Sequence, residues 1–347
     1  MNAPALRGGA LALLAAALFG ISTPLVQSFG VGLGPFTTAA LLYAGAAAIG
    51  ALLRKPIERE ARLMASDTPR LLAVAAFGAV VGPVALAWGL QRTSGTSASL
   101  MLTLEALFTA VLAWLLYRET MDRRVWAAMA LLLVGGATLV LDQGRFGGTQ
   151  LAGLVAVLVA TAAWGADNTL SRALAERDPG QVVMAKAALG ATATAIAAWL
   201  LGEPLPRLSA GLVLLAVGAT GYGLSLRFYL LAQREFGAAR TGSVFAFAPF
   251  IGALVAFGLG DRSASWMMAG GGVLMLAGVL VHLLERHQHE HTHQAMQHEH
   301  AHTHDDGHHN HEHEVMPAGS HSHSHRHQPA RHSHAHVPDA HHTHDHH

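Results

Sequence analysis

Ten apolar stretches of roughly 20 residues limit the folds open to this chain. A hydrocarbon core about 30 Å thick is crossed by roughly 20 helical residues, and each stretch is apolar on all sides, not along one stripe. Ten such runs exceed what a soluble core could bury, and only 13% of the residues are charged. The sequence therefore predicts an all-α membrane protein with ten transmembrane helices, at about residues 10–29, 35–53, 71–90, 97–117, 125–141, 151–171, 182–201, 209–231, 241–260 and 265–284.

The N-terminal stretch has a second interpretation. Arg7 precedes an Ala/Leu run, as in a cleaved signal peptide. The run continues through Phe19, Ile21 and Val26, beyond the small residues of a cleavage site. We therefore interpret it as the first span.

The basic residues predict the orientation of the spans. If the N-terminus is cytoplasmic, fourteen Arg and Lys residues flank the cytoplasmic ends of the spans, and only Arg92, Arg145, Arg207 and Arg262 lie on the other side. The positive-inside rule then places both termini in the cytoplasm. We expect a multi-pass protein of the cell (inner) membrane.

An internal repeat divides the membrane part into two sets of five spans. The first span of each set contains an aromatic-Gly pair, in Phe19-Gly20-Ile21-Ser22 and in Trp164-Gly165-Ala166-Asp167. Five is odd, so the second set must enter the membrane from the opposite side. Inverted repeats are typical of secondary transporters with a site near the midplane. We expect repeats at 1–142 and 143–286, and a tail at 287–347.

Three segments resemble the drug/metabolite transporter superfamily, in particular its EamA-type members with ten spans. They are TLEALFTAVLAWLLYRE from Thr103, WGADNTLSR from Trp164 and ARTGSVFAFAPFIGALVAFGLG from Ala239. The resemblance covers residues 8–284 and implies two five-span repeats and export of a small metabolite. Many members have Pro where Ala106 stands, whereas the ninth span keeps Pro249.

Glu105 is the most informative polar residue, because it lies deep inside the fourth span. An ionisable side chain at the bilayer centre costs at least ~2.5 kcal/mol on insertion scales, so we expect one there only where it has a functional or structural role. Glu105 could exchange a proton as substrate moves or balance the charge of a cationic substrate. The structural alternative is a neutral carboxyl that ties its helix to a neighbour.

Other polar and aromatic residues are candidates for the substrate cavity or an inner gate. Asp167 is expected to pair with Lys186 or Arg227, although Lys and Arg at helix ends also reach water by themselves. Asn168 follows Asp167, Trp164 is a candidate for the cavity wall, and Gln27 follows a Ser-Thr-Pro turn that could loosen the first span.

The tail alternates His with polar residues and has few apolar ones, so we expect it to be disordered. Neutral imidazoles bind Zn, Ni, Co and Cu, and a pH-sensing role is a second interpretation. The predicted divalent-metal ligands are His287, His289, His291, His293, His298, His300, His302, His304, His321, His323, His325, His327, His332, His334 and His336.

The leading hypothesis is a proton-coupled exporter of a small polar metabolite, such as an amino acid or an amine. The alternatives are a Ni, Co or Zn exporter whose tail captures the ion, and a membrane-anchored metal or pH sensor. The chain has no P-loop and no Ser/His or zinc set for hydrolysis, so we expect no enzyme. We expect no cofactor for transport and no nucleic acid partner, only substrate, protons and lipid, and we leave monomer and dimer open.

Overall fold

The structure is a computed structural model of the whole chain. It describes residues 3–54, 61–117, 121, 123–145, 147–171, 174, 177–236, 238–263, 265–283, 288–292, 296–302, 321–327 and 331–335. The tail residues His287, His293, His304 and His336 lie outside the described residues.

Helices form the described part of the chain before the tail, and we number its ten apolar helical stretches as spans 1 to 10 in chain order. Spans 1, 2, 5, 6, 7 and 10 are single helices, and spans 3, 4, 8 and 9 are divided. The single helices are Ala3–Phe29, Pro35–Leu52, Arg123–Gly144, Gly148–Ser171, Pro179–Leu200 and Trp266–Leu283. The divided spans consist of Thr68–Ala75, Ala76–Val81 and Gly82–Leu90; Gly95–Met101 and Leu104–Tyr117; Leu208–Val217, Gly218–Leu224 and Ser225–Phe236; and Ala238–Phe245 and Ala248–Gly258.

Within the described residues, nine helical stretches are long and apolar enough to cross a membrane. The tenth apolar helix, span 10, runs antiparallel along span 5. Gly135 lies against Gly271 and Met275, and Gly278 lies against Ala128. Small residues at these contacts let the two backbones approach closely.

The packing of the spans follows the predicted inverted repeat. Span 2 packs against span 7, and span 5 packs against span 10. Span 1 packs against spans 8 and 9, and its counterpart, span 6, packs against spans 3 and 4. Each repeat therefore completes its core with helices of the other repeat, and the two interlock.

The divided spans are also related by the repeat. Spans 3 and 8 contain π-helical segments, Ala76–Val81 and Gly218–Leu224. The first directly precedes Gly82 and Pro83, where the missing amide hydrogen disturbs the regular hydrogen bonds. Spans 4 and 9 are interrupted at residues 102–103 and 246–247. Span 4 is thus broken although Ala106 replaces the proline that its counterpart has as Pro249.

Four segments of the tail form two pairs of strands. Gln288–Thr292 pairs with Arg331–Ala335, and Met296–His302 pairs with His321–His327, both antiparallel. The alternation of His with polar residues has the two-residue period of a β-strand. The disorder expected for the tail stays a prediction.

Candidate functional site

A cavity of about 70 Å³ lies between the two repeats. Its walls come from spans 1, 2, 4, 6, 7, 8 and 9, and they combine ionisable groups with aromatic rings. The lining residues are Phe19, Tyr43, Glu105, Trp164, Asp167, Asn168, Lys186, Gly221, Tyr222, Ser225, Leu226, Tyr229 and Phe245.

The break in span 4 positions Glu105. Thr103 N donates to Leu100 O at 3.0 Å and Glu105 N to Leu102 O at 3.0 Å, which are the tighter bonds of a helix end. A new helix starts at Leu104, so Glu105 lies in its first turn. The positive end of a helix dipole favours a carboxylate there. Interrupted helices at corresponding positions of two repeats are typical of transporter binding sites.

Spans 1 and 6 cross the broken spans at glycines of the aromatic-Gly pairs. A Cβ atom on Gly20 would lie 2.4 Å from Ala248 O, and one on Gly165 would lie 2.6 Å from Phe108 Cβ. Each glycine allows its helix to pass directly beside the break in the other repeat. The repeated sequence thus brings Phe19 and Trp164 to the same cavity.

The π-helical segment of span 3 supplies a backbone acceptor beside the cavity. The carbonyl oxygen of Gly78 accepts hydrogen bonds from Trp164 Nε1 at 3.0 Å and from the hydroxyl of Tyr43. Both side chains are buried. These bonds fix the two aromatic rings in the cavity wall.

Asp167 and Lys186 form a buried ion pair. Lys186 Nζ donates to Asp167 Oδ2, and the two side chains are only 6% and 7% exposed. Asp167 Oδ1 accepts a second bond from Ser171 Oγ at 3.2 Å. Of the two partners expected for Asp167, the structure brings Lys186 to it.

Glu105 contacts an amide and not a cation. Its Oε1 accepts a hydrogen bond from Asn168 Nδ2 at 2.5 Å. Among the described residues, Asp167 forms an ion pair with Lys186, and Asp67 forms one with Arg177. Of the two carboxyl groups in the cavity wall, Glu105 is therefore the one without an ion-pair partner among the described residues.

Aromatic rings enclose the rest of the cavity. The ring centroid of Phe19 lies 5.6 Å from that of Trp164, 5.8 Å from Tyr222 and 5.5 Å from Phe245. Tyr229 stacks edge-on against Phe245 at 5.0 Å. The sequence predicted only Trp164 of this group. Phe19 could also have been predicted, because it precedes Gly20 in the aromatic-Gly pair of the first repeat. The other rings lie in apolar runs that carry no such pattern.

The cavity lies nearer one face of the membrane part, which we call the Arg177 face, where the odd-numbered spans begin. Lys186 is seven residues from the start of span 7, and Asp167 is four residues from the end of span 6. Phe245 ends the short first helix of span 9. We call the opposite face, where the odd-numbered spans end, the Gln27 face.

Hydrogen bonds join the spans at the Gln27 face. Gln27 Nε2 donates to Leu90 O at 2.9 Å and to Thr93 O at 3.0 Å. Thr93 Oγ1 donates to Gln143 Oε1 at 3.3 Å, and Gln143 Nε2 donates to Ser97 Oγ at 3.1 Å. Spans 1, 3, 4 and 5 are thus tied together between the cavity and this face.

Two predicted cavity residues lie elsewhere. Gln27 belongs to the network at the Gln27 face, because span 1 continues as a regular helix past Pro24 and carries the side chain beyond the cavity. Arg227 is also absent from the cavity wall, and its Nη1 is buried with no hydrogen-bond partner among the described residues. Lys186, and not Arg227, is the cation that pairs with Asp167.

No group of three or more His, Cys, Asp or Glu among the described residues could hold a metal ion. The strands of the tail place histidines opposite each other by backbone register, as with His298 and His325 or His289 and His334. The predicted metal binding by the tail therefore stays a prediction.

Comparison with known proteins shows similarity to a transporter family, a curated relative and solved structures. The model of the EamA-like transporter family matches residues 6–141 and, a second time, 151–284. An uncharacterized transporter of Methanothermobacter thermautotrophicus (strain Delta H) is 30% identical over 231 residues, 65% of this chain and 67% of the relative. A protein crystal structure superposes with a TM-score of 0.58 at 20% identity, over 81% of this chain and 95% of that one. The resemblance expected from the three motif segments is confirmed.

Proposed function

Because the chain belongs to the EamA-like transporter family, we propose that this membrane transporter exports a small polar metabolite of the amino acid or amine class in exchange for protons at Glu105. The observation that carries the proposal is the half-buried carboxyl group of Glu105, which lines the cavity with Asn168 as its hydrogen-bond partner and has no ion-pair partner among the described residues.

The charge of the cavity favours a substrate with an amino group. Asp167 and Lys186 neutralise each other, so an ionised Glu105 leaves one negative charge. Either a proton or an ammonium group can neutralise this negative charge, but the two cannot bind at the same time. Competition for one carboxyl group couples the movement of substrate to the opposite movement of protons.

The aromatic walls support the same class of substrate. Cations are attracted to the faces of Trp, Tyr and Phe rings within about 6 Å, and the attraction grows when water is excluded. Phe19, Trp164, Tyr222, Tyr229 and Phe245 line the cavity around Glu105. An anionic metabolite would find no unpaired cation among the lining residues.

Alternating access follows from the inverted repeat. The observed conformation is tied at the Gln27 face and has its cavity nearer the Arg177 face. Exchange of conformations between the interlocking repeats would close the Arg177 face and open the other.

Reconstituted protein tests the proposal. Liposomes with an internal pH dye should show proton movement when an ammonium compound such as choline, which has no uncharged form that crosses the bilayer unaided, is added, and Glu105→Gln should abolish this flux. Glu203→Gln is the matched control: Glu203 caps span 2 through Phe36 N and Thr37 N, away from the cavity, and the amide oxygen of glutamine can still accept one of these two bonds. Undiminished proton flux in Glu105→Gln would falsify the assignment.

A further inference from the structure

The buried pair of Asp167 and Lys186 is the one feature of the cavity that the proposed exchange at Glu105 does not use. The two side chains are bonded to each other, because Lys186 Nζ donates to Asp167 Oδ2, and Ser171 Oγ donates to the other carboxylate oxygen, Oδ1. Both residues nevertheless line the cavity. A buried ion pair adds little stability over a well-packed apolar pair, so stability alone does not account for it.

The pair determines the net charge that the cavity presents. The charged or titratable groups around Glu105 are Asp167 and Lys186 from spans 6 and 7, and Tyr43, Tyr222 and Tyr229 from spans 2 and 8. Tyrosine hydroxyl groups are uncharged at neutral pH. With the pair intact, the cavity carries one negative charge when Glu105 is ionised and none when it is protonated.

We infer that the Asp167–Lys186 pair sets the charge of the transported molecule, selecting substrates with a single positive charge at the cavity. Lys186 acts as a specificity-determining residue without touching the substrate, since it cancels the second carboxylate. This inference rests on the proposed function and identifies the substrate class as monovalent ammonium compounds rather than diamines.

Charge variants separate this role from a structural one. Lys186→Met leaves two carboxylates, so the cavity should favour a dication. Asp167→Asn leaves Lys186 to neutralise Glu105, so cation binding should be lost although Glu105 is present. The double variant Asp167→Asn/Lys186→Met restores a single negative charge and should bind like the wild type. Lys186→Arg keeps the charge and is the matched control.

Butylamine and diaminobutane are suitable probes, because they have the same carbon chain and differ by one charge. Binding by purified protein is measured near neutral pH as ligand-induced thermal stabilisation and by calorimetry. The wild type and Lys186→Arg should prefer butylamine. In Lys186→Met, the ratio of the two affinities should move toward diaminobutane by at least about tenfold, and the double variant should return to the wild-type ratio.

The outcomes distinguish the two proposals. If Glu105→Gln binds butylamine as the wild type does, the proposed function fails. If Glu105→Gln loses binding while Lys186→Met keeps the wild-type ratio, only the charge-setting role is overturned. Loss of one buried partner can prevent folding; if neither single variant folds, the double variant decides. Wild-type preference in the double variant supports the inference, and loss of butylamine binding overturns it.

Discussion

Gly78 of span 3 is in direct contact with the carboxylate of Asp167 in span 6: a Cβ atom on residue 78 would lie 2.2 Å from Asp167 Oδ2. The same glycine offers its carbonyl oxygen to Tyr43 and Trp164. One backbone position therefore holds the ion pair with Lys186 and two aromatic walls of the cavity in place.

We expect Gly78→Ala to damage transport and stability together. The added methyl group must displace Asp167 from Lys186 or separate spans 3 and 6, and such overpacking costs roughly 1–3 kcal/mol. Thermal unfolding in detergent and amine-driven proton flux measure the two effects. The matched control is Gly270→Ala in span 10, where nothing lies within 4 Å of the added atom. Equal behaviour of the two variants would refute the importance of the contact.

Gln27→Ala should increase opening at the Gln27 face. The variant loses two hydrogen bonds to the backbone of span 3 and the turn after it, each worth about 1 kcal/mol. The open population should rise roughly 5- to 30-fold. Because the chain has no cysteine, Ser99→Cys, buried between spans 1 and 9, can report opening by its rate of maleimide labelling.

The exposed Gly144→Cys serves as the reference for that measurement, since no other residue lies within 4 Å of its added atom. Its labelling rate should be the same with and without the Gln27→Ala substitution. If Ser99→Cys also reacts equally fast in both backgrounds, the Gln27 network does not hold this face closed.

The helical architecture could be predicted because length and polarity are local properties of the sequence. The same reasoning singled out Glu105, Asp167, Asn168 and Lys186, because polar and ionisable groups are costly in lipid and are sparse enough to count. Their depths along the spans placed Asp167, Asn168 and Lys186 at a comparable level. Gln27 and Arg227 were misplaced because depth does not fix the side of the helix on which a residue lies.

The aromatic walls and helix interruptions could not be predicted in the same way. Tyr43 and Tyr222 lie in apolar runs where an aromatic residue is unremarkable, and their role depends on how the spans cross. Pro249 indicated the break in span 9, but span 4 has Ala106 and breaks because tertiary packing overrides helix propensity there. The strands of the tail were missed because composition was given more weight than its two-residue period.

Asp261→Asn should destabilise the protein at neutral pH and less so in acid. Asp261 lies outside the spans, and its oxygens accept from Thr96 N and Oγ1, both at 2.9 Å, and from Ser263. Partial burial opposes ionisation, but hydrogen bonds from Ser263 and Thr96 outweigh it and lower the pKa of Asp261. The carboxylate therefore stabilises the fold above the pKa of the unfolded chain, about 3.9.

That contribution is lost as the pH falls through the lower pKa of the folded state. We expect Asp261→Asn to cost roughly 0.5–2 kcal/mol near neutral pH, as for other helix caps. The difference in unfolding temperature from the wild type should narrow when the measurement is repeated in acid. A difference that stays constant with pH would show that ionisation of Asp261 is not its source.

The tail should bind divalent transition metals. The register places His300 opposite His323 and His302 opposite His321, and neutral imidazoles bind Ni²⁺ and Zn²⁺. Equilibrium dialysis with Ni²⁺ or Zn²⁺ should show several ions bound to the full chain. A chain ending at residue 286 should lose them, and equal binding by the two chains would contradict the prediction.

The interruptions in spans 4 and 9 have a kinetic consequence. Span 4 starts at the Gln27 face with the short helix Gly95–Met101, and span 9 starts at the Arg177 face with Ala238–Phe245. Each entrance is bordered by a short helix that two residues join to the rest of its span. Substitutions in one of these two short helices can therefore alter the rate at which substrate is loaded at its own face. The rate of substrate release at the opposite face is then unchanged. Evolution can then adjust affinity and turnover separately within a single scaffold.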